Sequence, residues 1–260
     1  MSSTTAIYGI VARDWIRARR QKGRLVGGLA RSFMWLLLVG AGYNAIARVD
    51  GVSSYQTFIF PGIVVMAMLF GATLTAISTV YDREFGMLRL MVASPAGLLA
   101  VLAGRTIAAT GNGLLQGTFV MVTAPLFVSV TAAEWLAALA AVLLGALASS
   151  TLGLLVAAPL RSVENFAGIV NIVLFPLIFL SGALYPSSRM PPALRFLAQV
   201  NPVSYAVDLT RVALGQGGEF SAIRSVAVLA VTTIVAFTLT ALIFDPEQRF
   251  APRDRSGMRS

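Results

Sequence analysis

Within VYDREFGMLRLMVASPAG, residues 80–97, Asp82, Arg83, Glu84 and Arg89 crowd into one short stretch of a chain in which only 12% of residues are charged. Chemistry at such a cluster needs partners. The 260 residues include no histidine and no cysteine, so thiolate nucleophiles, imidazole bases and the commonest zinc ligands are all missing. No two carboxylates are placed to meet across neighbouring apolar stretches, which leaves acid–base and metal-assisted chemistry almost without players, and no catalytic residue or metal site is expected. A phosphate-cradling loop needs Gly-x-x-x-x-Gly-Lys-Ser/Thr, and the one lysine, Lys22, sits in RRQKGRL without the glycines or the hydroxyl. The charged segment must therefore do something other than catalysis.

The elements around it say where it sits. Hydrophobic residues make up 57% of the chain and mean hydropathy is +0.80, whereas soluble domains carry about 25% charged residues. Crossing about 30 Å of hydrocarbon takes roughly 20 apolar residues in a helix. Six such segments are expected, near Ser32–Ala47, Thr57–Val80, Ala100–Val128, Trp135–Leu160, Phe166–Tyr185 and Val226–Phe244. The first is short unless it reaches back through Gly27 and Gly28 past Arg31, which would then snorkel to the interface. Residues 1–25 are polar and arginine-rich, with no cleavable signal pattern, so the first span is expected to stay.

With the N-terminus on the cytoplasmic side, that side holds fifteen of the twenty basic residues, leaving Arg48, Arg189, Arg195, Arg211 and Arg224 opposite. This bias, together with an even number of spans, predicts both termini inside. The net charge of +9 flanks spans and forms no soluble patch, so nucleic acid is not an expected partner. One lysine against nineteen arginines in an alanine-rich chain suggests a GC-rich bacterial genome and a bacterial cytoplasmic (inner) membrane.

Two further segments are amphipathic. Ile7, Ile10, Val11, Trp15 and Ala18 recur at helical spacing while Arg13, Arg17, Arg20 and Arg24 share another face, predicting a helix in the membrane surface over residues 1–25. Asp14 spoils the apolar arc, and Arg17 one turn on could pair with it. In the opening segment Tyr81, Phe85, Leu88 and Val92 fall on one face of a short helix closed by Ser94 and Pro95, in a cytoplasmic loop over 81–97 suited to a protein partner. Residues 186–220 read as a broken, partly re-entrant outer hairpin with helices near Ala193–Gln199 and Val203–Leu214, Asn201-Pro202 starting the second and Gly215 ending it. Residues 245–260 are expected to form a cytoplasmic tail, and the whole chain reads as one all-α membrane domain.

YDREFGMLRLMVASPAG resembles the cytoplasmic signature of type-2 ATP-binding-cassette (ABC) exporter permeases, and NPVSYAVDLTRVALGQG resembles that family's segment before its last span. The order of features matches over nearly the whole chain, with drug-resistance and glycan- or lipid-exporting permeases the nearest likenesses. The resemblance implies a non-catalytic transport subunit working as a dimer with a second permease copy, above two separate ATP-binding subunits that hold the ATP and Mg. It makes the helix of Asp82, Arg83, Glu84, Phe85, Gly86, Leu88 and Arg89 a coupling helix, with Arg13 and Arg17 in a second contact. It also implies export by alternating access, of an amphipathic, drug-like, lipid or glycolipid cargo.

Several polar residues in the spans have two readings. Asn112 and Gln116, beside the small-residue pair Gly113 and Gly117, are interhelical glue or the lining of a pathway. Glu164 with Asn171 opens the fifth span as an ion-paired, capped helix start next to Arg161, or as an inner gate. Asp208 and Arg211, near Tyr205, form a structural pair or an outer gate. Phe166, Phe175 and Phe179 pack ordinarily or line a greasy cavity. Pro61, Pro125 and Pro176 each interrupt a span. The alternative reading is a secondary, ion-coupled transporter, for which midplane carboxylates and inverted repeats are expected and neither stands out clearly; a membrane enzyme would need catalytic groups that the chain almost lacks.

Overall fold

The computed structural model describes residues 3–20, 22–44, 54–92 and 97–244, and every regular element among them is helical. Helix α1 (Ser3–Arg20) is followed by α2 (Lys22–Met34), a π-helical turn (Trp35–Val39) and α3 (Gly40–Asn44), which continue one another. Then come α4 (Tyr55–Glu84), α5 (Met87–Val92), α6 (Gly97–Met121), α7 (Ala132–Ala157), α8 (Val163–Phe179), α9 (Pro192–Val200), α10 (Pro202–Ala213) and α11 (Ala222–Ile243). Five stretches are long and apolar enough to cross a membrane: Leu25–Tyr43, Tyr55–Glu84, Gly97–Leu126, Ala132–Ala157 and Ala222–Ile243.

The expected fifth span is the one that differs. Its helix, α8, stops at Phe179 after 17 residues, and the chain turns at Gly182, whose φ of 75° a side chain would resist. The first span does reach back past Arg31, and its end beyond Asn44 lies outside the described residues, as do Arg48, Ser94, Pro95 and the 245–260 tail.

Helix α4 is the axis of the fold, buried along nearly its whole length and packed by α2, α6, α7, α8 and α10. Thirty helical residues make a rod of about 45 Å. Ser54 caps its start by accepting the Thr57 N–H, and Pro61 is accommodated without a break. Small residues let its neighbours approach. A Cβ on Gly71 would lie 2.8 Å from the Asn112 carbonyl oxygen, and one on Gly113 would lie 2.9 Å from that of Met68. Gly117 leaves equal room for Val142 of α7, so the expected Gly113/Gly117 contact is where three helices meet. Helix α7 begins with a capping box, Thr131 to Glu134, and α6 ends in a 3-10 turn (Ala124–Leu126) around Pro125. Pro176 lies within the last turn of α8.

Helix α1 docks along α6. Ile10 is buried against Gly104, and it joins Leu88, Val101, Leu102, Ala158 and Phe244 in a small apolar cluster. At the other end of α4, the 180–220 segment folds back, burying α10 against α4, α7 and α11. Its punctuation works as expected: the Asn201 side chain accepts the Val203 N–H at 3.0 Å, and Gly215 takes a φ of 72°.

Candidate functional site

The expected single helix through Tyr81, Phe85, Leu88 and Val92 is two helices. Helix α4 ends at Glu84, Gly86 takes a φ of 73°, and α5 starts at Met87. A left-handed glycine breaks the apolar face. Leu88 turns into the core with Ile10, while Phe85 is 75% exposed at the apex, its ring stacked on Tyr81 at 6.0 Å. Arg89 belongs to α5, and its side chain is outside the described ones.

Two charges next to this knuckle, Asp82 and Arg83, face inward. Arg105, wholly buried in α6, donates from Nη1 to Asp14 of α1 at 3.0 Å and to Ser78 Oγ of α4 at 3.0 Å, and from Nη2 to Asp82 of α4. Arg13 donates to Asp82 at 2.6 Å and to Asp14 at 3.1 Å, and Arg17 reaches Asp82 at 3.3 Å. Three guanidinium groups thus enclose two buried carboxylates. Burial weakens the case for a charge on Arg13, but attraction to Asp82 and Asp14 outweighs it and holds the group above its ordinary value. The expected Asp14–Arg17 pair is not made, because Asp14 points to α6 and Arg17 to α4. The apparent flaw in the apolar arc of α1 is the residue that fastens it.

Arg83 and Glu84 brace the neighbouring helices. Arg83 donates to the carbonyls of Ala158 and of Leu160 (2.8 Å), closing the C-terminal end of α7, where a cation is favoured, and its guanidinium lies 4.6 Å from the Phe244 ring centre. Glu84 accepts the Val163 N–H at 3.0 Å, at the start of α8. Ser162 caps that same helix start, and exposed Glu164 makes no ion pair with Arg161. The cap expected there is present, and the ion pair is not.

At the far end of α4, Asp208 and Arg211 are both buried and also do not pair directly. Asp208 accepts the backbone N–H groups of Glu219 (2.6 Å) and Phe220 (3.2 Å). Arg211 donates to the Gly182 carbonyl at 3.0 Å and lies 4.5 Å from the centre of the Phe58 ring. Successive turns of one helix send these two side chains to different loops. Tyr205 donates to the Gln199 carbonyl at 2.7 Å and stacks on Phe220 at 4.5 Å, while Glu219, absent from the sequence-based candidates, accepts the Ser187 N–H at 3.0 Å.

Of the remaining candidates, Asn112 donates to Thr75 Oγ1 at 2.9 Å between α6 and α4. Gln116 is 1% exposed, with its amide against Gly28 and neither amide atom hydrogen-bonded. Phe166 is buried in ordinary packing. Asn171, Phe175 and Phe179 do come together, on one wall of a cavity of about 430 Å³ between α2, α4 and α8. Sequence reasoning passed over Arg105, which was counted as one more positive charge on the cytoplasmic side. Its signal was position: eight residues into α6, it is too deep to be a simple anchor.

The family model for the ABC-2 type transporter matches residues 5–214, which includes the knuckle, the Arg105 cluster and α10. Transport permease ycf38 of Pyropia yezoensis is 29% identical over 211 residues, 79% of this chain and 72% of the relative. Nodulation protein J of Rhizobium leguminosarum bv. trifolii is 29% identical over 254 residues, 93% of this chain and 96% of the relative. The same-named protein of R. leguminosarum bv. viciae is 28% identical over 223 residues, covering 84% and 86%. With several apolar helices long enough to cross a bilayer and a family match over most of its length, the chain is a multi-pass membrane protein and belongs to the ABC-2 type transporter family.

Proposed function

We propose that this chain is the membrane subunit of an ATP-driven exporter in a bacterial cytoplasmic membrane, paired with a second permease copy above two ATP-binding subunits. Both termini are cytoplasmic, and α8 with the turn after it completes a sixth crossing. The observation that carries the reading is the exposed Phe85-Gly86-Met87 knuckle, braced by Asp82 and Arg83, which turn inward, and by Glu84, which holds the start of α8. An apolar tip on a stiff base suits a groove on a partner, and the partner binds the ATP and Mg. The chain is then a transport subunit and not itself an enzyme.

Force on that tip reaches the far side through two rods. One is α4, which runs unbroken from the knuckle to the Asp208 region. The other is α8, joined to Glu84 at its first turn and lining the cavity at Phe175 and Phe179. Closure of the ATP-binding pair would tilt these rods as rigid bodies and move the pathway from inward-open to outward-open. An apolar, aromatic cavity favours an amphipathic or lipid-like cargo over a small ion.

The test is to tag the full chain, extract it gently and identify what co-purifies by mass spectrometry. We expect a stoichiometric subunit bearing a phosphate-binding loop, lost in Phe85→Asp with no change in the permease's thermal unfolding midpoint. A chain that comes out alone in detergents and in lipid discs would overturn the reading.

A further inference from the structure

Arg31 is a cation that neither charged cluster uses. It lies on α2 within the apolar stretch Leu25–Tyr43, where the sequence suggests a side chain snorkelling to the interface. The side chain stays exposed at the mouth of a cavity, and its guanidinium carbon sits 4.3 Å from the centre of the Phe70 ring, in the middle of α4. Phe70 precedes Asp82 by twelve residues on that continuous helix, a distance of about 18 Å along the axis. Arg31 is therefore well removed from the cluster that holds Arg13, Arg17 and Arg105. Among the described residues, every ion pair belongs to that cluster and no carboxylate pairs with Arg31.

The surroundings of Arg31 define what would complete it. Its cavity is walled by Trp35, Phe70, Phe175 and Phe179, with Trp35 and Phe179 edge to face at 6.2 Å. Asn171 is the other polar group; one amide N–H is bound to the Ala167 carbonyl at 3.1 Å, and the second is free to donate. Both polar groups thus offer donors, Asn171 beside its own acceptor oxygen, and apart from the Trp35 indole N–H the rest of the wall is apolar. A π-helical turn, a form frequent at functional sites, begins at Trp35 on this wall. At about 430 Å³, the space takes a headgroup and the first part of a chain.

We propose that this cavity binds an amphipathic anion, with its acidic headgroup on Arg31 and Asn171 and its apolar body against the aromatic wall. An ionic intramembrane side chain needs a counter-charge, and a small hydrated anion would lose its water against four rings. A neutral amphiphile leaves the guanidinium unpaired, and a cationic one is repelled. The same chemistry can arrive as a resident acidic phospholipid or as cargo. That the anion is cargo rests on the exporter reading; that it binds does not.

Trp35 provides the readout. In the full-length protein carrying Trp15→Phe and Trp135→Phe, in neutral phosphatidylcholine discs, Trp35 emission is titrated with brominated-chain phosphatidic acid and, separately, brominated-chain phosphatidylcholine. Dodecyl phosphate and dodecyl maltoside serve as competitors. A charge-assisted contact predicts at least about tenfold tighter binding of the anionic member of a pair. Preference for phosphatidic acid identifies a resident lipid, and preference confined to dodecyl phosphate identifies a single-chain, cargo-like anion. Arg31→Gln should bring anion and neutral probe within about twofold, while Arg31→Lys retains part of the preference. Equal binding of charged and neutral probes by the unsubstituted cavity, or a preference that survives Arg31→Gln, would overturn the proposal. Failure of the exporter reading shows separately, as extraction without an ATP-binding subunit.

Discussion

Two buried groups of charges sit at opposite ends of α4, and they are satisfied in different ways. Around Arg105, charge meets charge: the side chains of α1, α4 and α6 close a network between residues 91 positions apart. Around Asp208, charge meets backbone: a carboxylate accepts two amide N–H groups from 11 and 12 residues on, and Arg211 donates to one carbonyl 29 residues back. A side-chain network depends on every member keeping its ionised form, since losing one strands the others. A backbone-bound charge can be replaced with less damage, because the loop amides keep some recourse to neutral partners. The Arg105 end is thus the brittle one, beside the knuckle, and the Asp208 end is a tied-down cover.

The contrast can be broken most directly at Arg105. Arg105→Met leaves Asp14 and Asp82 close together in the interior with only the half-exposed Arg13 and Arg17 to offset them. We expect a loss of about 3–5 kcal/mol and a much lower unfolding midpoint in detergent. Removing the core charges together, with Asp14→Leu and Asp82→Leu added, should recover much of that loss, because buried ion triads are often no more stable than apolar replacements. An Arg105→Met protein as stable as the original would end the comparison.

A smaller effect is expected at the other end. Arg211→Met leaves the Gly182 carbonyl without this donor, yet methionine still packs on the Phe58 ring, so the loss should be about 1–3 kcal/mol by the same measurement. If Arg211→Met matches Arg105→Met, charge-to-backbone ties are as demanding as ion pairs in this fold.

These two ends were not equally legible in the sequence. The 186–220 region was readable because its punctuation is local: Asn201-Pro202 starts α10 and Gly215 ends it, and each acts within a few residues. Helix α7 was placed to within three residues at each end, although the Thr131–Glu134 box could have fixed its start. The Arg105 network was invisible for the opposite reason. Nothing in a window around Arg105 mentions Asp14, and counting basic residues by side treats a buried arginine like an interfacial one. The Gly86 break was missed because a run of helical spacing over 81–92 survives a single left-handed residue on paper. Arg31 was seen, but its direction depends on Phe70, which belongs to another helix.

Arg17 provides the finest test of the hierarchy. Its side chain is 39% exposed, and its contact with Asp82, at 3.3 Å, is the longest in the network. Asp82 keeps Arg105 and Arg13 when Arg17 is removed, so no carboxylate is stranded. Arg17→Ala should therefore cost less than about 1 kcal/mol, the usual scale of an exposed pair. Salt sharpens the distinction. Raising ionic strength from about 0.1 to 1 M shortens the screening length from about 10 to 3 Å, which should erase the Arg17→Ala difference and leave that of Arg105→Met nearly intact. If Arg17→Ala instead costs as much as Arg105→Met, and resists salt, the five charges act as one unit and α1 is held by the whole network instead of by its buried centre.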